Sequence, residues 1–351
     1  MTRAARLTDC APLRLITSGF TRLLPPGLAA SLLLLCLLAF GCGEEQDSVT
    51  VIRLAHGLPE THPVHKAMVY LGEHLAEKSG GAMRIDIFPA ESLGSERELL
   101  QKLQLGGSIG IAKVSCAVME SFAPDYAALS LPYIFRDDEH YWSVLNGPIG
   151  REILDSGESV SLHGLCFYDA GFRSFYTVDR PIRTPEDLQG LKIRVQESPT
   201  ARTLVNTLGG SAAPISWGEL YSALQQGVVD GAENNPPSYY LSHHYEVAPF
   251  YSLNEHVAVP DVLLVSTHTW TQLTDQQRQW LQDAADESLT HQRQLWRRMT
   301  DDCLVRIAEA GVEVIRPDRT LFVAKVQPML NDFRAKDPKL ADLLNRIEAT
   351  P

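Results

Sequence analysis

Two periods of hydrophobic and polar positions alternate along the chain, and their order predicts an α/β protein. Residues 49–56 are β-branched and apolar, and residues 83–88 alternate as a strand does. The segment 65–78 between them has helical spacing. A second helical pattern over 96–105 is followed by a strand pattern over 109–114. This order predicts a sheet that binds ligands at the carboxyl ends of its strands.

The same patterns continue in the second half of the chain. Thr184 followed by Pro185, Glu186 and Asp187 predicts a short helix, and 191–195 predicts a strand with Lys192 and Arg194 on one face. The segment 216–219, from serine to glutamate, predicts a capping box that begins a helix ending near Gly227.

A long helix without proline is predicted from Thr274, with Gln277 three residues on, to Gly311. Few globular domains use a helix beyond 25 residues, so we expect it to span two lobes. A chain of this length also favours two lobes over one core.

The first 41 residues have the pattern of a signal peptide. Four arginines precede the apolar run 28–40, which is shorter than the ~20 residues of a membrane-spanning helix. Gly41-Cys42 resembles the lipobox of bacterial lipoproteins, although Ala39 replaces the usual leucine. We expect cleavage and lipidation at Cys42, hence a membrane-anchored periplasmic protein; cleavage by an ordinary signal peptidase, or a cysteine that merely closes the segment, remains open.

Charge and cysteine usage narrow the function classes. The formal net charge is −12, and it becomes −15 when residues 1–41, with four arginines and one aspartate, are removed. Such a protein disfavours nucleic acid and anionic membranes as partners. The remaining cysteines, Cys116, Cys166 and Cys303, form no Cys-x-x-Cys pair and no disulfide framework.

An anion site in so acidic a protein requires local arginines, because guanidinium can donate two parallel hydrogen bonds to one carboxylate. Arg194 is the candidate, since it lies in a strand between Ile193 and Val195. The residues alone leave two alternatives open, an exposed arginine on a polar face and an ion pair with Glu197.

Five sequence blocks in order resemble the periplasmic solute receptors of TRAP transporters, the DctP-type family. The resemblance runs from about residue 51 to the C-terminus. The blocks are FPAESLG (88–94), LPYIF (131–135), GFR (171–173), DLQGLKIR (187–194) and ELYSALQQGVVDGAEN (219–234).

The resemblance implies a two-lobed periplasmic-binding-protein fold and a ligand site. It implies that Arg194 binds the ligand carboxylate, that Arg173 assists, and that Asn234 contacts the same end of the ligand. Trp217 occupies the place of an aromatic residue that lines the pocket in sialic-acid-binding relatives. A surface position for Arg173 and a core position for Trp217 are the alternatives.

Four further candidates follow from the resemblance with weaker support. Asn235 reads a ligand hydroxyl or only forms a turn, and His256 contacts the ligand or is a structural histidine. Glu96 and Lys113 face the cleft or remain exposed to solvent. This supply of polar groups around an arginine favours a hexuronate or related sugar acid over a C4-dicarboxylate, which stays an alternative.

The lobes are expected to comprise 48–171 with 260–299, and 172–259 with 300–351. They would close on the acid and present the loaded receptor to the membrane permease subunits. The resemblance implies no cofactor, and the residues themselves predict neither a metal site nor an enzymatic activity. The less favoured alternatives are an ABC-type receptor and a metal-binding lipoprotein. The metal-binding alternative arises because four histidines cluster at 56–74, but they lack the spacing of a zinc site. The chain also contains no Gly-x-Ser-x-Gly motif of a hydrolase.

Overall fold

The computed structural model describes residues 49–351. The predicted signal peptide, 1–41, and the lipidation site, Cys42, lie outside the described residues and stay predictions. Within 49–351, no helix combines the length and the apolar character needed to cross a membrane.

The first of two sheets has five strands and is mixed. Its order is β2-β1-β3-β10-β4, in which β1 runs parallel to both β2 and β3 and β10 runs antiparallel to β3 and β4. The predicted strands 49–56, 83–88 and 109–114 are its first three. The strands are β1 (Thr50–Ala55), β2 (Met83–Phe88), β3 (Ile111–Ser115), β4 (Leu162–Tyr168) and β10 (Asp261–Ser266).

The second sheet has six strands in the order β11-β9-β5-β8-β6-β7. Strand β6 runs parallel to β7 and β8, whereas β5 runs antiparallel to β8 and β9. The chain enters this sheet after β4, leaves it before β10 and returns to it for β11, so the two sheets are joined at 169–171, at 259–260 and through 267–312. The strands are β5 (Phe172–Thr177), β6 (Lys192–Val195), β7 (Ser211–Pro214), β8 (Gly231–Asn234), β9 (Phe250–Ala258) and β11 (Glu313–Ile315).

Twelve α-helices in the described chain surround the sheets. Short 3₁₀ segments occur between them, including Pro185–Leu188 at the predicted short helix, where Thr184 and Asp187 form a capping box. The helices are α1 (Pro63–Lys78), α2 (Glu96–Gln104), α3 (Cys116–Met119), α4 (Asp138–Leu145), α5 (Pro148–Ser156), α6 (Pro199–Leu208), α7 (Leu220–Gln225), α8 (Pro236–Leu241), α9 (Thr267–Gln272), α10 (Asp275–Glu309), α11 (Arg319–Lys336) and α12 (Pro338–Ala349).

Helix α10 joins the cores beside both sheets. Thr274 and Gln277 form the predicted capping box at its start. Leu281 and Ala285 pack with the apolar core beside the first sheet, and Cys303 and Ile307 pack with strands of the second. The predicted α/β class and the predicted long helix spanning both lobes are therefore confirmed.

The predicted capping box at 216–219 is wrong. Helix α7 begins at Leu220 without a side-chain cap, and 217–219 form a turn before it. The Ser216 hydroxyl donates to Glu219 Oε2 at 2.7 Å, so this carboxylate does not serve a helix N-terminus. The N–H of Gly218 donates instead to Glu91 Oε2 at 3.0 Å, a partner 127 residues away.

The predicted lobe boundaries stay a prediction. The C-terminal helix α12 contacts elements beside the first sheet: Arg346 donates two hydrogen bonds to Glu152, and His140 Nε2 lies 2.8 Å from the carbonyl oxygen of Ile347. Helix α11 packs instead against α6 and β9, beside the second sheet.

Candidate ligand site

A polar cavity of about 660 Å³, counting space open to solvent, is lined by residues of both sheets. Seven of the eight predicted ligand-binding residues line it, and His256 does not. The seven are Glu96, Lys113, Arg173, Arg194, Trp217, Asn234 and Asn235.

The second sheet brings Arg194 and Asn234 to one edge. Arg194 lies near the end of β6 and pairs in register with Ala232 of the parallel strand β8, which ends at Asn234. Carboxyl ends of parallel strands meet at the same sheet edge. Arg173 reaches this edge from the start of the antiparallel strand β5.

Arg194 is a buried cation without an anionic partner. Its side chain is 3% exposed, which excludes the exposed-arginine alternative, and no carboxylate of the described chain forms an ion pair with it. Nε donates to the carbonyl oxygen of Ile215 at 2.8 Å, and Nη1 is buried without a hydrogen-bond partner. Burial lowers the pKa of the guanidinium. An unpaired buried charge is unfavourable, so the arrangement favours an incoming anion.

Arg173 is equally buried but fully engaged. It forms a bidentate ion pair with Glu233, in which Nη2 donates to Oε1 at 2.8 Å, and its Nη1 donates to Asn234 Oδ1 at 2.9 Å. Although burial alone raises the pKa of the Glu233 carboxyl, Arg173, together with the neighbouring His256, lowers it to about 2. The surface alternative for Arg173 is wrong, and its charge is already neutralised.

The two asparagines are oriented by this network. Asn234 Oδ1 also accepts from the backbone N–H of Asn235 at 2.9 Å and from its side-chain amide at 3.1 Å. Asn235 Oδ1 in turn caps α8 by accepting from Ser238 N at 2.8 Å. Both side chains therefore have fixed amide orientations at the cavity wall.

The first sheet contributes a buried lysine held between two carboxylates. Lys113 Nζ lies 3.0 Å from Glu96 Oε1 and 3.2 Å from Asp261 Oδ2, and its side chain is 3% exposed, so the solvent-exposed alternative is wrong for Lys113. Burial alone lowers the pKa of the ammonium, but the two carboxylates raise it to about 12. Burial also raises the pKa of the Asp261 carboxyl above its ordinary value. This cation, unlike Arg194, is compensated.

Trp217 lies beside the unpaired arginine. The centre of its ring is 5.8 Å from the guanidinium carbon of Arg194, and its other neighbour is His244 at 5.0 Å between ring centres. The ring packs against both apolar cores and lines the cavity. The two sequence interpretations, pocket wall and core anchor, both describe its position.

His256 lies behind the cavity wall. Its ring stacks on Phe175 with 4.4 Å between centres, and its Nδ1 lies 3.1 Å from Asn254 Oδ1. Nε2 is 3.6 Å from Glu233 Oε2, beyond hydrogen-bonding distance. The structure therefore surrounds His256 with protein groups, and direct ligand contact by it stays a prediction.

Sequence reasoning missed several polar residues of the cavity, among them His62, Glu91 and Asp261. The first caps α1 through Nδ1, and its Nε2 lies 3.3 Å from the hydroxyl of Ser238. Glu91 lies in the quoted block 88–94, but its partner Gly218 is distant in sequence, as Lys113 is from Asp261. Only the three-dimensional pairing identifies them.

The histidine cluster is satisfied internally. His56 Nε2 lies 3.0 Å from His65 Nδ1, and His56 Nδ1 accepts from the N–H of Leu58. Burial lowers the pKa of His56 to about 2. In the described part of the chain, no group of three or more His, Cys, Asp or Glu residues is arranged to hold a metal ion.

Relatives of known structure share this architecture. A receptor from Xanthobacter autotrophicus Py2, a TRAP periplasmic solute-binding protein with bound β-D-galacturonate, is 40% identical with a TM-score of 0.83, covering 86% of this chain and 100% of that one. A TRAP receptor from Chromohalobacter salexigens with bound D-glucuronate is 33% identical with the same TM-score and coverage. These similarities confirm the two-lobed fold.

Sequence relatives agree with the structural ones. The uncharacterized protein YiiZ of Salmonella typhimurium is 37% identical over 332 residues, which are 94% of this chain and 98% of that protein. The profile of the DctP family, described as bacterial extracellular solute-binding protein, family 7, matches residues 54–337. The chain therefore belongs to the DctP family of TRAP solute-binding proteins.

Proposed function

We propose that this protein captures a hexuronate in the periplasm and delivers it to the membrane permease of a TRAP transporter. The observation that carries the proposal is the buried, unpaired Nη1 of Arg194 in a cavity that both sheets line. A ligand carboxylate would supply the missing acceptor and charge. Carboxylate binding by a guanidinium is strong because two N–H groups can donate in parallel.

The rest of the Arg194 end fits one carboxylate and the atoms next to it. Because Asn234 Oδ1 is occupied by protein donors, its amide nitrogen is available to donate to the ligand. Arg173 positions that amide rather than binding the ligand as a free charge. The face of Trp217 offers an apolar surface for the sugar ring.

The opposite wall supplies partners for hydroxyl groups. Glu96, Lys113 and Asn235 hold polar atoms at the cavity, and a sugar hydroxyl can both donate and accept there. His256 acts from behind the cavity wall, where it lies beside the Glu233 carboxylate.

The class of acid is supported by relatives. Receptors at 33–40% identity and equal fold similarity carry galacturonate or glucuronate. A C4-dicarboxylate, the alternative acid, would require a second cation, and among the described cavity residues Lys113 and Arg173 already have carboxylate partners. The polar wall and the single unpaired cation favour the sugar acid.

Delivery follows from closure of two lobes around the acid, after which the closed form docks on the permease. We further propose that the mature protein begins at Cys42 and is tethered by a lipid on that residue. Mass spectrometry of the protein from a bacterial host tests this, since an ordinary cleavage product without lipid would contradict it.

A thermal-shift screen tests the function directly. The panel contains D-galacturonate, D-glucuronate, a neutral hexose, succinate and sialic acid. Ligand at 1,000 times its dissociation constant adds about 4 kcal/mol to the free energy of unfolding, a shift that is easily measured. We expect the uronates to give the largest shifts; a shift from succinate alone, or from the neutral hexose, would overturn the proposal.

A further inference from the structure

Glu91, in the loop after β2, is held in an unusual backbone conformation at the cavity wall. Ala90 and Glu91 have φ values of 54° and 53°, in the left-handed region that non-glycine residues rarely adopt. Their N–H groups donate to the carbonyl oxygens of Leu58 and His56, each at 3.1 Å. Such strain persists where the surroundings fix it, and it clusters at ligand sites.

Two glycines make room for the Glu91 side chain. A Cβ on Gly57 would lie 3.2 Å from Glu91 Cγ, and a Cβ on Gly218 would lie 2.4 Å from Glu91 Oε2. The missing side chain at Gly218 lets its N–H approach this oxygen to 3.0 Å. The carboxylate thereby connects the loop after β2 to the turn that carries Trp217.

The second carboxylate oxygen is not satisfied. Glu91 Oε1 is buried and has no hydrogen-bond partner in the described chain, yet the residue lines the same cavity as Arg194. Burial raises the pKa of the carboxyl. A buried acceptor without a donor is costly, so a donor supplied by the ligand would relieve it.

Charge balance in the cavity limits what that donor can be. The described lining contains three cations and four carboxylates; the cations are Lys113, Arg173 and Arg194, and the carboxylates are Glu91, Glu96, Glu197 and Asp261. Lys113 and Arg173 are in ion pairs, so Arg194 alone awaits a carboxylate. A second ligand carboxylate would meet negative charge, whereas a hydroxyl could donate to Glu91.

We infer that Glu91 is a specificity-determining residue: Oε1 accepts a hydrogen bond from a substrate hydroxyl, and its charge repels acids with a second carboxylate. The inference rests on the proposed function and deepens it, because it defines the substrate class as hydroxylated monocarboxylates. Oε2 positions the side chain for this by holding the Gly218 N–H.

Calorimetric titration of Glu91→Gln with galacturonate and galactarate tests the inference. Galactarate carries a second carboxylate in place of the C1 aldehyde. We expect the substitution to weaken galacturonate binding at least tenfold and to reduce the preference for galacturonate over galactarate at least tenfold. The matched control is Glu219→Gln, the same charge change on an exposed carboxylate of the neighbouring turn; it should change neither quantity.

Glu91→Asp separates the effect of the hydrogen bond from the effect of the charge. It is also the test to use if Glu91→Gln fails to fold. It retains the charge but withdraws the oxygen, so galacturonate binding should weaken while galactarate stays excluded. If wild type binds galacturonate and Glu91→Gln keeps both affinities, the inference is overturned and the proposed function stands. If the wild type binds succinate or galactarate but no uronate, that titration overturns both the inference about Glu91 and the proposed function.

Discussion

The two ends of the cavity each hold a buried basic side chain on a strand, and their surroundings differ in one respect. At the first-sheet end, Lys113 lies between the carboxylates of Glu96 and Asp261. At the second-sheet end, Arg194 has a carbonyl oxygen on Nε and no partner on Nη1. Burial and formal charge are alike, so the presence of a protein counter-ion distinguishes a structural cation from one available to a ligand.

The same contrast exists within the second sheet, where Arg173 is paired and Arg194 is not. Removing one member of a buried ion pair leaves an uncompensated charge, whereas removing a cation that has no counter-ion leaves none. The following predictions are ordered by the size of the expected effect.

Arg173→Met should reduce the free energy of unfolding by about 3–5 kcal/mol, because it leaves the Glu233 carboxylate buried without a counter-ion. The melting temperature of the ligand-free protein should fall by roughly 10 °C. Arg183→Met is the matched control: it breaks an exposed pair with Glu313 in the same unit and should cost less than about 1 kcal/mol. Equal losses in the two variants would contradict the distinction.

Arg194→Lys should weaken uronate binding by on the order of 100-fold, about 3 kcal/mol, because it keeps the charge but loses the fork of parallel donors. The ligand-free melting temperature should change little, since no ion pair is lost. Calorimetry measures the affinity, with the exposed Arg202→Lys as control. Unchanged affinity in Arg194→Lys would remove Arg194 from the central role.

Acid should weaken the second-sheet network through Glu233. Its folded pKa of about 2 lies below the ordinary value of 4.5, so the stabilisation is present above pH 4.5 and is lost as pH falls toward 2. The contribution is about 3 kcal/mol. Urea unfolding measures the free energy of unfolding between pH 4.5 and 2. It should fall less steeply with pH in the double variant Arg173→Met/Glu233→Met than in the wild type. Parallel pH dependences of the two proteins would refute the assignment of this acid sensitivity to Glu233.

Replacing the aromatic wall should have the smallest effect. Trp217→Leu removes the ring face beside Arg194 but no hydrogen bond, so we expect a loss of about 1 kcal/mol, roughly fivefold in affinity. Trp270→Leu, which removes a ring stacked on His163 outside the cavity, controls for general effects of losing a tryptophan. A loss at Trp217 as large as that of Arg194→Lys would mean that stacking, not charge, dominates binding.

Local signals predicted much of the fold. The capping box of Thr274 and Gln277 marked the start of α10. The succession of strand-like, helical and strand-like hydrophobic patterns before Glu96 marked β1, α1 and β2. The similar pattern at Ser216 failed, because the Glu219 carboxylate accepts from the Ser216 hydroxyl and the helix begins only at Leu220, without a side-chain cap.

The site was predicted less completely, for a related reason. Resemblance identified Arg194 and Arg173, but it did not reveal that Glu233 neutralises one of them. Nor could it identify Asp261 as the partner of Lys113, since the two residues meet only through the antiparallel pairing of β10 with β3. Which cation is free depends on long-range pairs, and no local sequence pattern encodes them.

A crystal structure of the galacturonate complex tests the central claim most directly. We predict that the sugar carboxylate lies about 3 Å from Arg194 Nη1, with the Asn234 amide beside it and the hydroxyl groups toward Lys113 and Glu91. A carboxylate bound instead at Lys113, with Arg194 Nη1 still unpaired, would contradict the account.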